Sequence, residues 1–247
     1  MKILAIDTSS SVLSLAVSSD GVILGELMQN KALTHSERLM PHIEYLFSSL
    51  DEKVQQMDCF AVTNGPGSFT GIRIGVATAN AFAMASGKKV VGISTLEALA
   101  HNYRHSDAFI IATMYAQRED YYRGLYQFNN GEMIVHKEED AISKEEILNE
   151  AKIFSKQGNV IIVGELASAL AMDDEFADKN MNCETKKSII QLGIAADNYV
   201  RGAILCEIAS KQVDRARDFV SPVYIRKPQA EVQYEEKQRA LEVKDGE

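Results

Sequence analysis

The sequence predicts an α/β protein made of two halves that repeat one plan. Each half opens with three strands in a meander. A helix, a buried strand, a glycine-containing turn and a further helix follow in the same order. The period-two alternation of apolar residues and the turn residues between runs are the signals for these strands. A repeated order of this kind indicates duplication, with each half folding into its own lobe.

The strands of the two meanders can be placed directly on the sequence. In the first half they are Lys2 to Asp7, Val12 to Val17 and Val22 to Met28. In the second half they are Phe109 to Thr113, Tyr121 to Phe128 and Glu132 to His136. Gly21 and Gly131 each end the turn before the third strand, as hairpin turns prefer.

Capping signals mark the helix that follows each meander. Thr34 and Ser143 each stand three residues before a glutamate, the spacing of a capping box. The first signal predicts a helix over about 34–50. The next strands are expected at Cys59 to Thr63 and at Asn159 to Val163, each running into a glycine turn. A helix from Ser188 to Lys211 is predicted to close the second lobe.

This order is that of the ribonuclease H-like fold, duplicated in the two lobes of the actin-like ATPase (ASKHA) superfamily. Residues 1–104 are assigned to the N-terminal lobe and residues 105–229 to the C-terminal lobe. The charged segment 230–247 has almost no periodic apolar face, so a frayed or disordered tail is expected. The alternative is a single sheet whose halves only look alike, and the paired turn glycines Gly65 and Gly164 disfavour it.

Composition excludes several classes of protein. The net charge of −9 argues against a surface that holds nucleic acid by itself, since such binding needs clustered Lys and Arg. Three widely spaced cysteines without a CxxC pair suggest neither a disulfide framework nor a thiolate metal site. The sequence shows no secretory signal and no apolar span of membrane length, so a cytoplasmic protein without membrane contact is expected.

The segment from Asn64 to Gly71 leaves a strand and opens a helix, where backbone amides can hold an anion. Gly65, Gly67 and Ser68 are the candidate anion-binding residues of this turn. The segment lacks the Lys-Ser/Thr end of a phosphate-binding P-loop. A tight turn capped by Ser68 or Thr70 is therefore the favoured alternative.

The helix that follows the turn, over about 70–86, has a row of small residues along one face. Its members recur at i+4: Gly71, Gly75, Ala79 and Ala83. Glycine in a helix interior costs roughly 1 kcal/mol relative to alanine, so close packing against another helix is the expected reason. The neighbouring helix over 34–50 offers Leu39, Ile43 and Leu46 on one face. Two such helices can form half of a four-helix bundle across an interface.

The end of the first strand offers a second candidate anion site, formed by Asp7, Thr8, Ser9 and Ser10. Actin-like ATPases keep a phosphate loop there, but Ser9 stands where they have glycine. The matching turn of the second half, residues 115–117, has no aspartate, which disfavours a metal nucleotide in the cleft. Asp7 either belongs to a phosphate site or caps the turn through the amides of Ser9 and Ser10.

The histidines and arginines carry weaker signals. His101 and His105 have the spacing of a two-histidine metal site, but no third ligand is evident and two exposed histidines are the favoured interpretation. His35 is expected to be a polar residue of the first helical turn. Arg73 is expected to bind an anion or to form an intersubunit ion pair.

Five segments together resemble the TsaB (YeaZ) family across nearly the whole chain. They are Ile3 to Ser9, His35 to Glu37, Gly65 to Gly75, Ser94 to Leu99 and Pro222 to Arg226. The long glycine segment is specific, whereas the first strand is not. The resemblance implies a bacterial subunit of the machinery that places a threonylcarbamoyl group on the adenosine beside the anticodon of tRNAs reading ANN codons.

The resemblance also implies that the catalytic subunit is another protein, the paralogue TsaD, which carries a metal-binding His-x3-His. Those two histidine positions fall on Thr95 and Leu99, neither of which binds a metal usefully. The chain is therefore expected to have no catalytic residues and no metal. ATP or ADP is expected, if at all, at the interface of the complex.

The same resemblance implies that the two helices dock on the TsaD-like subunit, or on a second copy when the chain is alone. The predicted interface residues are His35, Glu37, Leu39, Ile43, Leu46, Gly71, Arg73, Gly75, Ala79 and Ala83. A small ATPase, TsaE, is the further expected partner, and tRNA is expected only through the complex. The family commonly has Asp-Ala-Arg-Arg where this chain reads Tyr115 to Arg118, so contacts that need the missing Asp and Arg are in doubt.

Two other hypotheses stay open at the level of sequence. The chain could be an enzyme, either an actin-like ATPase or a glycoprotease-like metallopeptidase, which would need a bound metal or a paired nucleophile and base. It could also be a stand-alone homodimer with a separate binding role.

Overall fold

The computed structural model describes residues 1–31, 34–172, 181–182 and 189–226, which form two lobes, each built on one sheet. The first lobe contains β1 (Lys2–Asp7), β2 (Val12–Ser19), β3 (Val22–Asn30), α1 (His35–Leu50), β4 (Cys59–Gly65), α2 (Phe69–Ser86), β5 (Lys89–Ser94) and α3 (Thr95–Ala100). The second contains β6 (Phe109–Gln117), β7 (Asp120–Asn129), β8 (Glu132–Ser143), α4 (Lys144–Phe154), β9 (Val160–Gly164), α5 (Glu165–Ala171), β10 (Met181–Asn182) and β11 (Ile189–Leu192). The last helix, α6, spans Gly202–Lys211.

The two sheets have the same strand order. The first runs β3-β2-β1-β4-β5 and the second runs β8-β7-β6-β9-β11-β10. In each, the first strand pairs antiparallel with the second and parallel with the strand after the first long helix. The predicted duplication of a ribonuclease H-like plan is confirmed by this match. Within the described ranges, no helix has the length and apolar character that crossing a membrane requires.

Strand β1 separates two cores because its side chains alternate between the faces of the sheet. Leu4 and Ile6 point to the face covered by α1 and α2. Ile3 and Ala5 point to the opposite face, where they pack with α3, α6 and residues of β6 and β7. The two helices on the first face therefore have one side exposed to solvent. The second face of the sheet is buried between the lobes.

The helix predicted from Ser188 to Lys211 is wrong in extent and in place. Ser188 lies outside the described residues, Ile189–Leu192 is a strand, and α6 begins only at Gly202. The amide of Gly202 donates to Ser14 Oγ at 2.8 Å, and a Cβ there would lie 2.6 Å from the carbonyl carbon of Leu15. This helix packs on the sheet of the first lobe, because the glycine lets it approach β2. The predicted tail 230–247 lies outside the described residues.

The two predicted capping boxes have different outcomes. Ser143 accepts from the amide of Glu146 at 3.3 Å, and the Glu146 carboxylate accepts from the amide of Ser143 at 2.9 Å. Thr34 occupies the N-cap position of α1, but its side chain makes no capping hydrogen bond. The box is therefore confirmed at α4 and wrong at α1.

Replacing each cap residue with alanine tests this difference. Ser143→Ala removes an acceptor for a free helix amide and should lower the free energy of unfolding by about 1 kcal/mol. Thr34→Ala is the matched control and should change it by less than about 0.5 kcal/mol. Urea denaturation followed by circular dichroism measures both. Equal losses in the two variants would contradict the assignment.

Candidate docking surface and interlobe cleft

The glycines of the β4–α2 segment bring the β1–β2 turn against α2. The Ser68 amide donates to the Ser9 carbonyl at 2.7 Å, and Thr8 Oγ1 donates to the Gly71 carbonyl at 2.7 Å. A Cβ on Gly71 would collide with the Thr8 carbonyl oxygen, and a Cβ on Gly75 would collide with Thr8 Oγ1. These glycines are needed because the turn lies directly on the helix backbone. Ser68 caps α2 by accepting from the Gly71 amide at 3.2 Å, as the favoured interpretation of this turn predicted.

This contact overturns the predicted role of the small-residue stripe. Its four members, Gly71, Gly75, Ala79 and Ala83, are all buried against the chain's own first sheet. The apolar members predicted on α1, Leu39, Ile43 and Leu46, are buried in the same core. Seven of the ten predicted interface residues therefore face inward and are not part of the outer surface of the helix pair. His35 is half-buried, and Glu37 and Arg73 are exposed.

The outer surface of the helix pair has different residues. On α1 the exposed apolar side chains are Met40 and Tyr45, the latter 67% exposed. On α2, Ala77, Ala81 and Ala85 are exposed at i+4 spacing and form a second stripe of small residues. Both stripes satisfy the same spacing rule, so spacing alone could not decide which of them faces the sheet. The apolar neighbours Ile72 and Val76, which are buried, were the signal that could have decided it.

Arg73 has a partner within the chain. Its guanidinium lies 3.7 Å from the centre of the Phe69 ring, and its Nε donates to the Tyr224 hydroxyl at 2.8 Å. The rings of Phe69 and Tyr224 pack with their centres 5.1 Å apart. Arg73 was expected to meet an anion or another subunit, and the structure instead shows it fastening the C-terminal segment to the start of α2.

The C-terminal segment ties the first lobe to the second. Asn80 and Val220 exchange two hydrogen bonds of 2.9 and 3.0 Å, and the Val223 amide donates to the Asn64 carbonyl at 2.7 Å. Further along, Arg226 pairs with Asp120 of the second lobe at 2.7 Å. The segment Pro222 to Arg226 supported the family resemblance, but its structural role could not be predicted from sequence.

Asp7 is completely buried at the end of β1. Its Oδ1 accepts from the Ser9 amide at 3.1 Å, the Ser9 hydroxyl at 2.6 Å and the Thr63 hydroxyl at 2.6 Å. Its Oδ2 has no partner among the described residues. Burial raises the pKa of this carboxyl, and the three hydrogen bonds oppose that change. Asp7 therefore holds the turn, as one of the two alternatives predicted, although through Ser9 and Thr63 rather than Ser10.

A cleft of about 360 Å³ lies between the lobes in front of this turn. The first lobe contributes Ser9, Ser10, Ser11, His35 and Ser68, and the second contributes Met114, Tyr115 and Glu165. His35 Nε2 lies 2.7 Å from the Ser10 carbonyl oxygen. The candidate anion-binding residues Ser9, Ser10 and Ser68 thus come together in the cleft, whereas Asp7 lies behind its wall and Thr8 is turned into the α2 contact.

Glu165 is the residue of this cleft that sequence reasoning missed. Its Oε2 accepts from the Tyr115 amide at 2.6 Å, and burial raises its pKa, with a smaller contribution from the charge of Asp7. Residues 115–117, at the end of β6, contain no carboxylate. The carboxylate of the second lobe is Glu165, which follows the neighbouring strand β9. Glu165 directly follows Gly164, the glycine paired with Gly65, and this pairing was the signal that could have located it.

The charge of the cleft bears on the anion prediction. Glu165 lines the cleft, Asp7 lies close behind it, and His35 is the one basic side chain among the residues described as lining it. Carboxylates raise the energy of a nearby phosphate unless a cation intervenes. The prediction of nucleotide or anion binding stays a prediction.

The positions compared with metal ligands lie in the core. Thr95 and Leu99 are both fully buried, and Leu99 belongs to the core cluster between the lobes. Thr95 Oγ1 has no partner among the described residues. His105 is exposed as expected, but His101 is half-buried, stacks edge-on to Phe128 and lies with Nδ1 2.9 Å from the Glu97 carbonyl oxygen. Burial lowers its pKa. In the part of the chain that the structure describes, no three His, Cys, Asp or Glu side chains are grouped to hold a metal.

Comparison with known proteins places this geometry in a family. The family model "TsaD: tRNA N6-adenosine threonylcarbamoyltransferase" matches residues 23–234. The "tRNA threonylcarbamoyladenosine biosynthesis protein TsaB" of Escherichia coli is 30% identical over 92% of this chain and 95% of its own length. The chain belongs to the TsaB (YeaZ) group of the TsaD family. The resemblance stated from sequence motifs is thereby confirmed.

Other TsaB relatives agree with this membership. The TsaB protein of Bacillus subtilis is 39% identical over 53% of this chain and 57% of its own length. A crystal structure from Pseudomonas aeruginosa, described as an uncharacterized protein with similarity to peptidase YeaZ, superposes with a TM-score of 0.74. It is 24% identical, over 91% of this chain and 99% of that one, so this likeness shows the shared fold.

Substitution of the buried glycine stripe should damage folding itself. Gly75→Leu places a side chain on Thr8 Oγ1 beneath a packed helix and should lower the free energy of unfolding by at least about 2 kcal/mol. Ala81→Leu, on the exposed side of the same helix, should change it by less than about 0.5 kcal/mol. Chemical denaturation of the two variants makes the comparison. A Gly75→Leu protein as stable as wild type would contradict the inward placement of the stripe.

Neutralising Asp7 should change the pH dependence of stability. A raised folded-state pKa favours folding fully below the unfolded value near 3.8, and this contribution is lost as pH rises through the folded pKa. Asp7→Asn keeps the Oδ1 acceptor and removes the charge. It should therefore be more stable than wild type at neutral pH, with a smaller difference near pH 3.

Asp58 supplies a control of opposite sign. The hydrogen bond from the Lys2 amide lowers its pKa, so its contribution is present above the unfolded pKa and lost as pH falls. Asp58→Asn should be no more stable than wild type at neutral pH. Urea denaturation at several pH values tests both variants, and a loss of stability in Asp7→Asn at pH 7 would contradict the assignment.

Proposed function

We propose that this chain is a non-catalytic subunit of the machinery that makes N6-threonylcarbamoyladenosine (t6A) in tRNA. Its role would be to bind and stabilise a TsaD-like catalytic subunit. The observation that carries the proposal is the near full-length match to proteins named for threonylcarbamoyladenosine biosynthesis, such as the TsaB of E. coli. The matching family model is described as that of the transferase itself, which is consistent with two paralogues of one fold.

The buried α3 supports assigning the chemistry to the partner. The TsaD ligand positions fall on Thr95 and Leu99, and both side chains are fully buried. Leu99 offers no donor atom, and Thr95 offers a neutral hydroxyl that is a poor ligand for a transition metal. A metal at this place would need both a new ligand and an opened core. The same absence of ligands weighs against a glycoprotease-like metallopeptidase.

The outer face of the helix pair is the proposed docking face, and it consists of Met40 and Tyr45 on α1 with Ala77, Ala81 and Ala85 on α2. Small residues at i+4 spacing let a partner helix approach the backbone closely. Tyr45 and Met40 add apolar surface that a partner can cover. A second copy of this chain would use the same face when the catalytic subunit is absent.

The other partners follow from this arrangement. A TsaE-like ATPase would join the pair rather than this chain alone, and ATP or ADP would bind at the resulting interface. Transfer RNA would be held by the complex, because this chain carries a net charge of −9. An actin-like ATPase activity of the isolated chain is the weaker alternative, since the cleft presents a carboxylate and one histidine where phosphates would lie.

Substitution at Tyr45 tests the docking face. Tyr45→Asp places a charge on a surface that is buried only in the complex and should weaken binding of the TsaD-like paralogue from the same genome by at least about tenfold. Met172→Asp is the matched control, because Met172 is 87% exposed on α5's C-terminal side in the other lobe. It should change the Kd less than about twofold. Isothermal titration calorimetry measures both.

Two results would contradict the proposal at different levels. Equal binding by wild type and Tyr45→Asp would exclude this docking face but not the pairing itself. Transfer of threonylcarbamoyl to tRNA by the purified chain alone would exclude a non-catalytic role.

A further inference from the structure

A groove of about 850 Å³ runs along the flank of α2, between that helix and residues 218–222. Its apolar lining includes Val76, Ala77, Ala81, Met84, Phe219 and Pro222. Met84 is 82% exposed and Phe219 is 66% exposed, so two large apolar side chains stand in water on opposite walls. Covering either side chain removes apolar surface from water and so favours binding.

Both walls of the groove are held in place by the fold. Asn80 and Val220 exchange side-chain to backbone hydrogen bonds of 2.9 and 3.0 Å, and Arg217 pairs with Val90 through two backbone hydrogen bonds of 2.8 Å. The C-terminal segment therefore stands at a fixed distance from α2. A site already formed in the free protein binds without the cost of ordering its walls.

The charged residues that line the groove indicate what kind of ligand it would bind. Arg73 lies at one end, Lys88 and Lys89 lie at the other, and Asp218 is the one acid among the residues described as lining it. Lys88 is 3.6 Å from Asp58, and Lys89 has no ion pair with any residue that the structure describes. This local excess of positive charge stands on a chain whose net charge is −9. An apolar groove with basic ends complements an apolar side chain flanked by carboxylates.

We propose that this groove binds a short segment of another protein, one that presents a large apolar side chain between acidic residues. Nucleic acid would satisfy the basic ends but would leave Met84 and Phe219 without an apolar partner. A second copy of this chain is the poorer occupant, because a two-fold symmetric contact through this face would bring the basic residues of the two grooves together. The proposal does not rest on the proposed function: the groove shares Ala77 and Ala81 with the docking face, but Met84 and Phe219, which the test removes, lie outside that face.

Selection from a phage-displayed library of random 12-residue peptides tests the proposal. The full-length wild-type chain is the target, and the double variant Met84→Ser/Phe219→Ser is the comparison. Both positions are exposed, so the variant should fold as wild type does and give an unchanged circular dichroism spectrum. Met172→Ser, at an equally exposed methionine of the second lobe, is the matched control.

The expected result is enrichment of peptides with an aromatic or leucine side chain next to Asp or Glu. A synthetic peptide of the most enriched sequence should bind at least about tenfold more weakly to the double variant and about equally to Met172→Ser. Lys89→Glu should weaken its binding by about threefold or more, and added salt should reduce that difference.

Several outcomes would overturn the proposal. Enrichment without an excess of acidic residues would remove the charge argument, and equal binding to the double variant would place the peptides elsewhere. A wild-type dimer in sedimentation velocity that the double variant does not form would make a second copy the occupant. Tighter binding of a tRNA transcript to wild type than to Met84→Ser/Phe219→Ser would make nucleic acid the occupant.

Discussion

The position of α2 depends on one contact, the placement of the β1–β2 turn directly on the helix backbone. Thr8 bonds to the Gly71 carbonyl and fills the space that a side chain at Gly75 would need. Ser9 accepts from the Ser68 amide in the same place. Because the turn contacts the helix backbone rather than flexible side chains, it fixes the distance of α2 from the sheet and the rotation of α2 about its own axis. That rotation determines which side chains of α2 are exposed to solvent.

The parts of the fold that were predicted correctly from the sequence are those set by local signals, and the rotation of α2 is not one of them. Strand alternation and the Ser143 capping box are local signals, so the duplicated order followed from them. The stripe Gly71, Gly75, Ala79 and Ala83 was found correctly but assigned to the wrong side. A small residue is equally suited to approach by a partner helix and by the chain's own turn. The apolar neighbours Ile72 and Val76 indicate which side faces the sheet, and the position of Thr8, far away in sequence, shows what the stripe packs against.

The interlobe cleft shows a second limit of sequence reasoning. A cleft for a metal nucleotide would need an acid at the equivalent strand end of the second half, and residues 115–117 at the end of β6 have none. The acid of the second lobe is instead Glu165 at the start of α5, which accepts a hydrogen bond from the amide of Tyr115. In the first lobe the acid is Asp7, on β1 itself. Duplication conserves the path of the backbone, whereas a carboxylate can reach one point from either of two neighbouring strands.

The two lobes also differ in the length of the helix that follows the glycine turn. Helix α2 has 18 residues and its counterpart α5 has seven. Among the described residues, α2 is the one of the two that extends far enough beyond its glycine turn to present an outer stripe and a flank. The C-terminal segment then lies along that flank and continues to Asp120, so it forms one wall of the groove and also joins the lobes. Binding on either side of α2 would therefore act on an element whose position is fixed at its N-terminus by Thr8 and along its flank by Val220.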